Sequence, residues 1–164
     1  MKAMNVMLGA LVGLTMVGCL QSPLLSHANA SPTVAPQENN QTEKGCDLSF
    51  SKSSLCASVT WVKQPTADDQ GEFTLRFWDA AQGTEAGPYV TPADDVAIKL
   101  WMPDMGHGSS PTKVIAATDA TGSPVAGVFD VQNIFFVMNG KWQVFIQLKK
   151  GSQVVDQVEF DYNY

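Results

Sequence analysis

From Cys46 to the C-terminus the hydrophobic residues recur with a period of two, and no other feature restricts the possible folds of this chain as strongly. Leu55, Ala57, Val59 and Trp61 alternate with Cys56, Ser58 and Thr60, while Phe73, Leu75 and Phe77 alternate with Thr74 and Arg76. Successive side chains of a strand point to opposite faces, so each run offers one apolar face for burial. Val96, Ile98, Leu100 and Met102 share a face in a further run, as do Trp142, Val144, Ile146 and Leu148 in a later one. Clusters of Gly, Pro, Asn and Asp separate these segments. Asn139-Gly140, lying between two apolar runs, is a strong hairpin signal, and Lys150-Gly151 marks a second turn before residues 154–162. Outside residues 1–30 no window has a helical period. About seven to nine short strands with tight turns predict an all-β domain, an antiparallel sandwich of the immunoglobulin-like kind.

Size and composition fit one such domain. The chain has 164 residues, 45% of them hydrophobic and 16% charged, a folded rather than a disordered composition. Residues 46–164 form the domain, ~120 residues with a single core. A formal net charge of −6 leaves no excess of Lys or Arg to neutralise phosphates, which argues against nucleic acid and anionic membranes as partners.

Residues 1–30 read as a signal peptide: Lys2 is the positive start, Met4 to Leu20 the apolar stretch and Ala28-Asn29-Ala30 a small-residue cleavage site. Met16-Val17-Gly18-Cys19 is the competing site. It resembles a lipobox, which would make residues 1–18 a lipoprotein signal and leave Cys19 lipidated, tethering the protein to a membrane. A retained transmembrane anchor is the third reading, disfavoured by the Gly and Thr interruptions and the short length. On any reading that places the protein outside the cytoplasm, in the periplasm or on the outer membrane, residues 31–45, polar and proline-bearing, are a flexible linker. Cys46 and Cys56 then enter an oxidising compartment. They are too far apart for a CxxC redox pair and lack zinc-type companions, so a structural disulfide is expected. Closing so short a loop contributes on the order of 2–3 kcal/mol.

Two stretches carry a resemblance. Leu100-Trp101-Met102-Pro103-Asp104-Met105-Gly106-His107-Gly108-Ser109-Ser110-Pro111 is followed, after a strand pair, by Asn133-Ile134-Phe135-Phe136-Val137-Met138-Asn139-Gly140-Lys141-Trp142. Over about Phe73 to Tyr162 the chain resembles the FixH-like/YtkA-like family, whose members place an M-P-x-M-x-H-like turn after one strand and a Met-x-Gly-x-Trp turn before another. The resemblance implies an exported or membrane-tethered sandwich. Some relatives are associated with copper handling or assembly of a terminal oxidase, and the resemblance does not imply an enzyme. A cleavable signal in place of a plain membrane anchor departs from FixH proper and weakens the carry-over of an oxidase role.

The chemistry of the first stretch suits copper. Thioethers are soft donors for Cu(I) and an imidazole can complete a low-coordinate site, making Met102, Met105 and His107 candidate ligands with Met138 a fourth. Gly106 and Gly108 free the backbone to fold the ligands together. Against this, Met102 shares its parity with Ile98 and Leu100 and reads as a core residue, and Met138 follows Phe135, Phe136 and Val137 and reads as packing. Trp101, on the opposite face, either offers a partner an aromatic surface or covers a sandwich edge. No nucleophile elbow, P-loop or dinucleotide motif is present, and Asp104, Ser109 and Ser110 are sequence neighbours of His107 rather than a dispersed triad. The pairs Asp68-Asp69 and Asp94-Asp95 lack calcium-loop spacing and read as solvated turns. Two functions therefore compete: a copper-binding module, and a structural or protein-interaction domain of the cell envelope that binds no metal. An edge strand recruiting another exported protein is a third possibility.

Overall fold

The computed structural model describes residues 45–164. The segment read as an export signal, both expected cleavage sites, Cys19 and all of the expected linker except Gly45 lie outside them. The described residues contain no helix and nine strands: β1 (Leu48–Phe50), β2 (Leu55–Lys63), β3 (Gly71–Asp79), β4 (Asp95–Met102), β5 (His107–Gly108), β6 (Lys113–Thr118), β7 (Pro124–Ile134), β8 (Lys141–Lys150) and β9 (Gln153–Asn163). They build two antiparallel sheets, ordered β1-β2-β3-β7-β6 and β5-β4-β8-β9. With β1 and β5 set aside, β2 to β9 take the places A-B-E-D and C-F-G of a constant-type immunoglobulin sandwich. The expected fold class is the one observed.

The alternation read from the sequence becomes the core. Phe73, Leu75 and Phe77 of β3 meet Leu100 and Met102 of β4 and Trp142, Val144, Ile146 and Leu148 of β8 in one buried cluster. Burial is also two-sided where a simple alternation predicts a wet face: Cys56, Ser58 and Trp78 are each at most 3% exposed on the outer side of β2 and β3. The connection from β3 to β4 explains this. It folds back so that Tyr89 bridges Trp78 and Val90 N–H donates to Phe77 O at 2.8 Å, beside the end of β3 where β7 no longer pairs. The Cys46–Cys56 disulfide forms, and Cys56 stands directly across from Trp78.

The two sheets are also tied by a buried carboxylate. Asp156 of β9, 4% exposed, accepts hydrogen bonds at Oδ2 from Lys52 N–H (2.9 Å), Ser53 N–H (2.8 Å) and Ser53 Oγ–H (3.0 Å) in the β1–β2 turn. At Oδ1 it accepts from Gln157 N–H at 3.0 Å. Burial would raise its pKa, but these donors outweigh burial and hold it below the ordinary aspartate value.

The turns divide in outcome. Lys150 pairs with Gln153 around Gly151-Ser152, and Gly151 has a φ of +61°, so the second predicted turn is a two-residue hairpin. Asn139-Gly140 is not a hairpin turn. β7 and β8 belong to different sheets, and residues 135–140 carry the chain from one to the other. The Asn-Gly signal reports a backbone able to adopt positive φ, here +138° at Gly140, and that need arises in a sheet crossing as well as in a hairpin.

Candidate functional site

The β4–β5 turn and the 135–140 crossing lie side by side at one end of the sandwich. In the first, Met102 and His107 pair directly across the strands, and Gly106 N–H closes the turn on Met102 O at 2.9 Å. Gly106, with a φ of +66°, sits at a conformation that favours glycine. In the second, the indole N–H of Trp142 donates to Met138 O at 3.0 Å, and Ser109 Oγ–H donates to Phe135 O. The two segments touch through Met102, whose ε-methyl packs on the Cα of Gly140, a Cβ there falling 2.5 Å away. His107 of the first segment also meets Trp142, the second residue of β8, edge-on at 5.7 Å between centroids.

An aromatic cluster holds this end in place. Phe136 stacks on Tyr162 at 4.9 Å and packs against Trp142 and Tyr164. Backbone bonds in both directions between Gly140 and Tyr164 clasp the end of the crossing to the C-terminus. Tyr162 donates its hydroxyl to Gln64 Oε1 at 2.7 Å, and burial, then the neighbouring Tyr164, push its pKa upward. Lys141 pairs with Asp161 at 2.8 Å. That hydrogen bond, the charge of Asp161 and, more weakly, the charge of Asp104 raise the pKa of the exposed Lys141.

The four candidate donors separate into two kinds. Met102 is only 4% exposed and belongs to the core, as its parity predicts. Met105 and Met138 are 60% and 40% exposed. Met138 is thus not core packing; it lies in the crossing, where Phe136 takes the buried position (1% exposed) and the chain turns Val137 and Met138 outward. His107 is half-buried, with Nδ1 2.9 Å from Gly108 O. A carbonyl only accepts, so Nδ1 is the donor in this contact; in the neutral ring that tautomer leaves the lone pair on Nε2, the arrangement in which a metal-binding imidazole is usually held. Among the described residues no group of three or more His, Cys, Asp or Glu is placed to hold a metal ion. A metal at this end would therefore draw on thioethers and one imidazole, a donor set that fits Cu(I) and not calcium or zinc.

A family model described as YtkA-like matches residues 59–147. The chain belongs to the YtkA-like family. The match runs from the middle of β2 through most of β8 and contains both segments of the candidate site. No curated protein and no solved structure matches the chain. In this YtkA-like domain, Trp142 is the site residue that sequence reading passed over. Its parity identified a core position, but its bond to Met138 O depends on a crossing that brings the chain back over the indole. Trp101 lies on the outer face of the second sheet, half-exposed, with Lys99 Nζ 4.6 Å from its ring centroid. Asp69 of the first acidic pair sits in an exposed turn bonded to Lys63 at 3.1 Å, and Asp95 of the second opens β4.

Proposed function

We propose that this YtkA-like domain is an exported, non-enzymatic binding module that takes up Cu(I) through Met105, His107 and Met138. The observation that carries the reading is the placement of His107: Nδ1 is committed to the Gly108 carbonyl, which in the neutral ring leaves Nε2 to a metal, and the two segments at this end of the sandwich each expose a thioether. Met102 takes no part as a ligand; its methyl fills the space over Gly140 and joins the two segments. Exposed donors suit a site that exchanges its ion with an envelope protein partner rather than storing it, so the proposed role is an accessory one in copper handling or oxidase assembly. The Cys46–Cys56 disulfide supports export to an oxidising compartment, in the periplasm or tethered to the outer membrane through Cys19.

The test is a Cu(I) titration of the purified protein against a competing chelator under reducing conditions mild enough to keep the disulfide. One-to-one binding is expected, weakened at least a hundredfold in Met105→Ala/His107→Ala. Failure of the wild type to compete would remove copper. The second reading, a structural or protein-interaction domain of the envelope without metal, is favoured by the edge-on packing of His107 on Trp142, which would serve as a clasp between the two segments. It predicts that His107→Ala lowers stability and changes no metal affinity.

A further inference from the structure

Trp142 contacts both segments of the candidate site, Met138 through its indole N–H and His107 through its ring. It is fully buried, its ring is packed on one side by Phe136 at 5.1 Å, and the edge-on His107 approaches it at 5.7 Å. Its only polar atom, Nε1–H, is used on Met138 O at 3.0 Å. An indole donates in one direction, in the plane of its ring. A ring fixed by core packing therefore fixes where the Met138 carbonyl sits, and with it the direction in which the exposed Met138 side chain leaves the backbone. The same ring fixes the imidazole plane of His107 by contact, while Gly108 O fixes its tautomer.

We infer that Trp142 is the positioning residue of the site, setting the Met138 thioether against His107 Nε2 through its indole N–H. The inference rests on the copper reading above. It assigns Trp142 a role apart from its contribution to the core, because the core needs the ring and the site needs the N–H. Ile146 supplies the contrast: it is buried in the same cluster, on the same strand as Trp142, and belongs to neither segment of the site.

The experiment compares Trp142→Phe, which keeps an aromatic ring and removes the donor, with Ile146→Ala, which removes packing and leaves the donor. Both variants should melt at lower temperature than the wild type. Cu(I) affinity against a competing chelator should fall at least tenfold in Trp142→Phe and stay within twofold in Ile146→Ala. Equal losses of affinity in the two variants, or none in Trp142→Phe, would overturn the inference while leaving the copper reading intact. A measurement on the wild type needs no variant to fold: in a 15N-labelled sample the Trp142 indole N–H signal should shift when Cu(I) is added, with Trp78, buried in another part of the sandwich, as an unmoved reference. His107 resonances that shift while the Trp142 indole stays still would also refute it. If the wild type binds no Cu(I), the metal reading fails and this role fails with it.

Discussion

Replacing Asp156 with alanine should produce the largest pH-dependent change in stability available from a single residue of this domain. The substitution removes the acceptor of four hydrogen bonds, two of them from consecutive backbone N–H groups in the β1–β2 turn. Bonds to a charged partner are worth about 1.5–3 kcal/mol each when the partner is buried, but the turn lies at the surface and water can reach part of what is exposed. A net cost of about 2–4 kcal/mol is expected, equivalent to a fall in Tm of roughly 8–16 °C for a domain of this size. The pH dependence follows from the folded-state pKa, which lies below the unfolded value of about 3.9. A carboxylate with a depressed pKa contributes its full stabilisation above the unfolded value and loses it as pH falls through the folded one. The gap between wild type and Asp156→Ala should therefore be constant from neutral pH down to about pH 5 and should narrow below about pH 4. Urea denaturation followed by tryptophan fluorescence at a series of pH values measures both quantities. A difference smaller than about 0.5 kcal/mol at pH 7, or one that persists unchanged at pH 2, would show that the turn is held by something other than the ionised carboxylate.

Two glycines with positive φ should differ in what they tolerate. At Gly127 (φ +66°) an added Cβ would stand 2.6 Å from Val90 N, a backbone atom that cannot turn aside, so Gly127→Ala should cost about 3 kcal/mol or more and displace the β3–β4 connection. At Gly140 the obstructing atom is the flexible end of Met102, so the backbone conformation dominates and Gly140→Ala should cost about 1–3 kcal/mol with no recovery when combined with Met102→Ala; thermal melts of the three variants decide this. Removing the disulfide in Cys46→Ala/Cys56→Ala should lower stability by about 2–3 kcal/mol, read as a shift in the urea midpoint, and should leave the proposed Cu(I) binding unchanged, since the disulfide packs beside Trp78 and away from the candidate site.

Period-two patterning determined the strands of this protein, because the parity of a residue within a strand follows from the pleat and needs no partner to define it. Leu100 and Met102, or Trp142 to Leu148, are assigned to the core by parity alone and are found there. The disulfide was legible for a similar reason: two cysteines close in sequence in a domain read as exported have few alternatives. Parity does not say which strand pairs with which. It left Asn139-Gly140 to be read as a hairpin when the next strand lies in the other sheet, and it could not show that the β3–β4 connection would cover the outer face of Cys56 and Trp78.

The candidate site divides in the same way. The sequence by itself determined the chemistry on offer, two thioethers and an imidazole in a glycine-bearing loop with a further thioether downstream, since donor softness belongs to the residue and not to its surroundings. Only the tertiary structure decided which of these donors faces solvent. Met102 is drawn into the core by its strand, Met138 is turned out by the burial of Phe136, and the two segments meet because the chain crosses between sheets above Trp142. Contacts across a sandwich depend on the order of strands, and strand order is set by the packing of the whole domain rather than by any local run of residues.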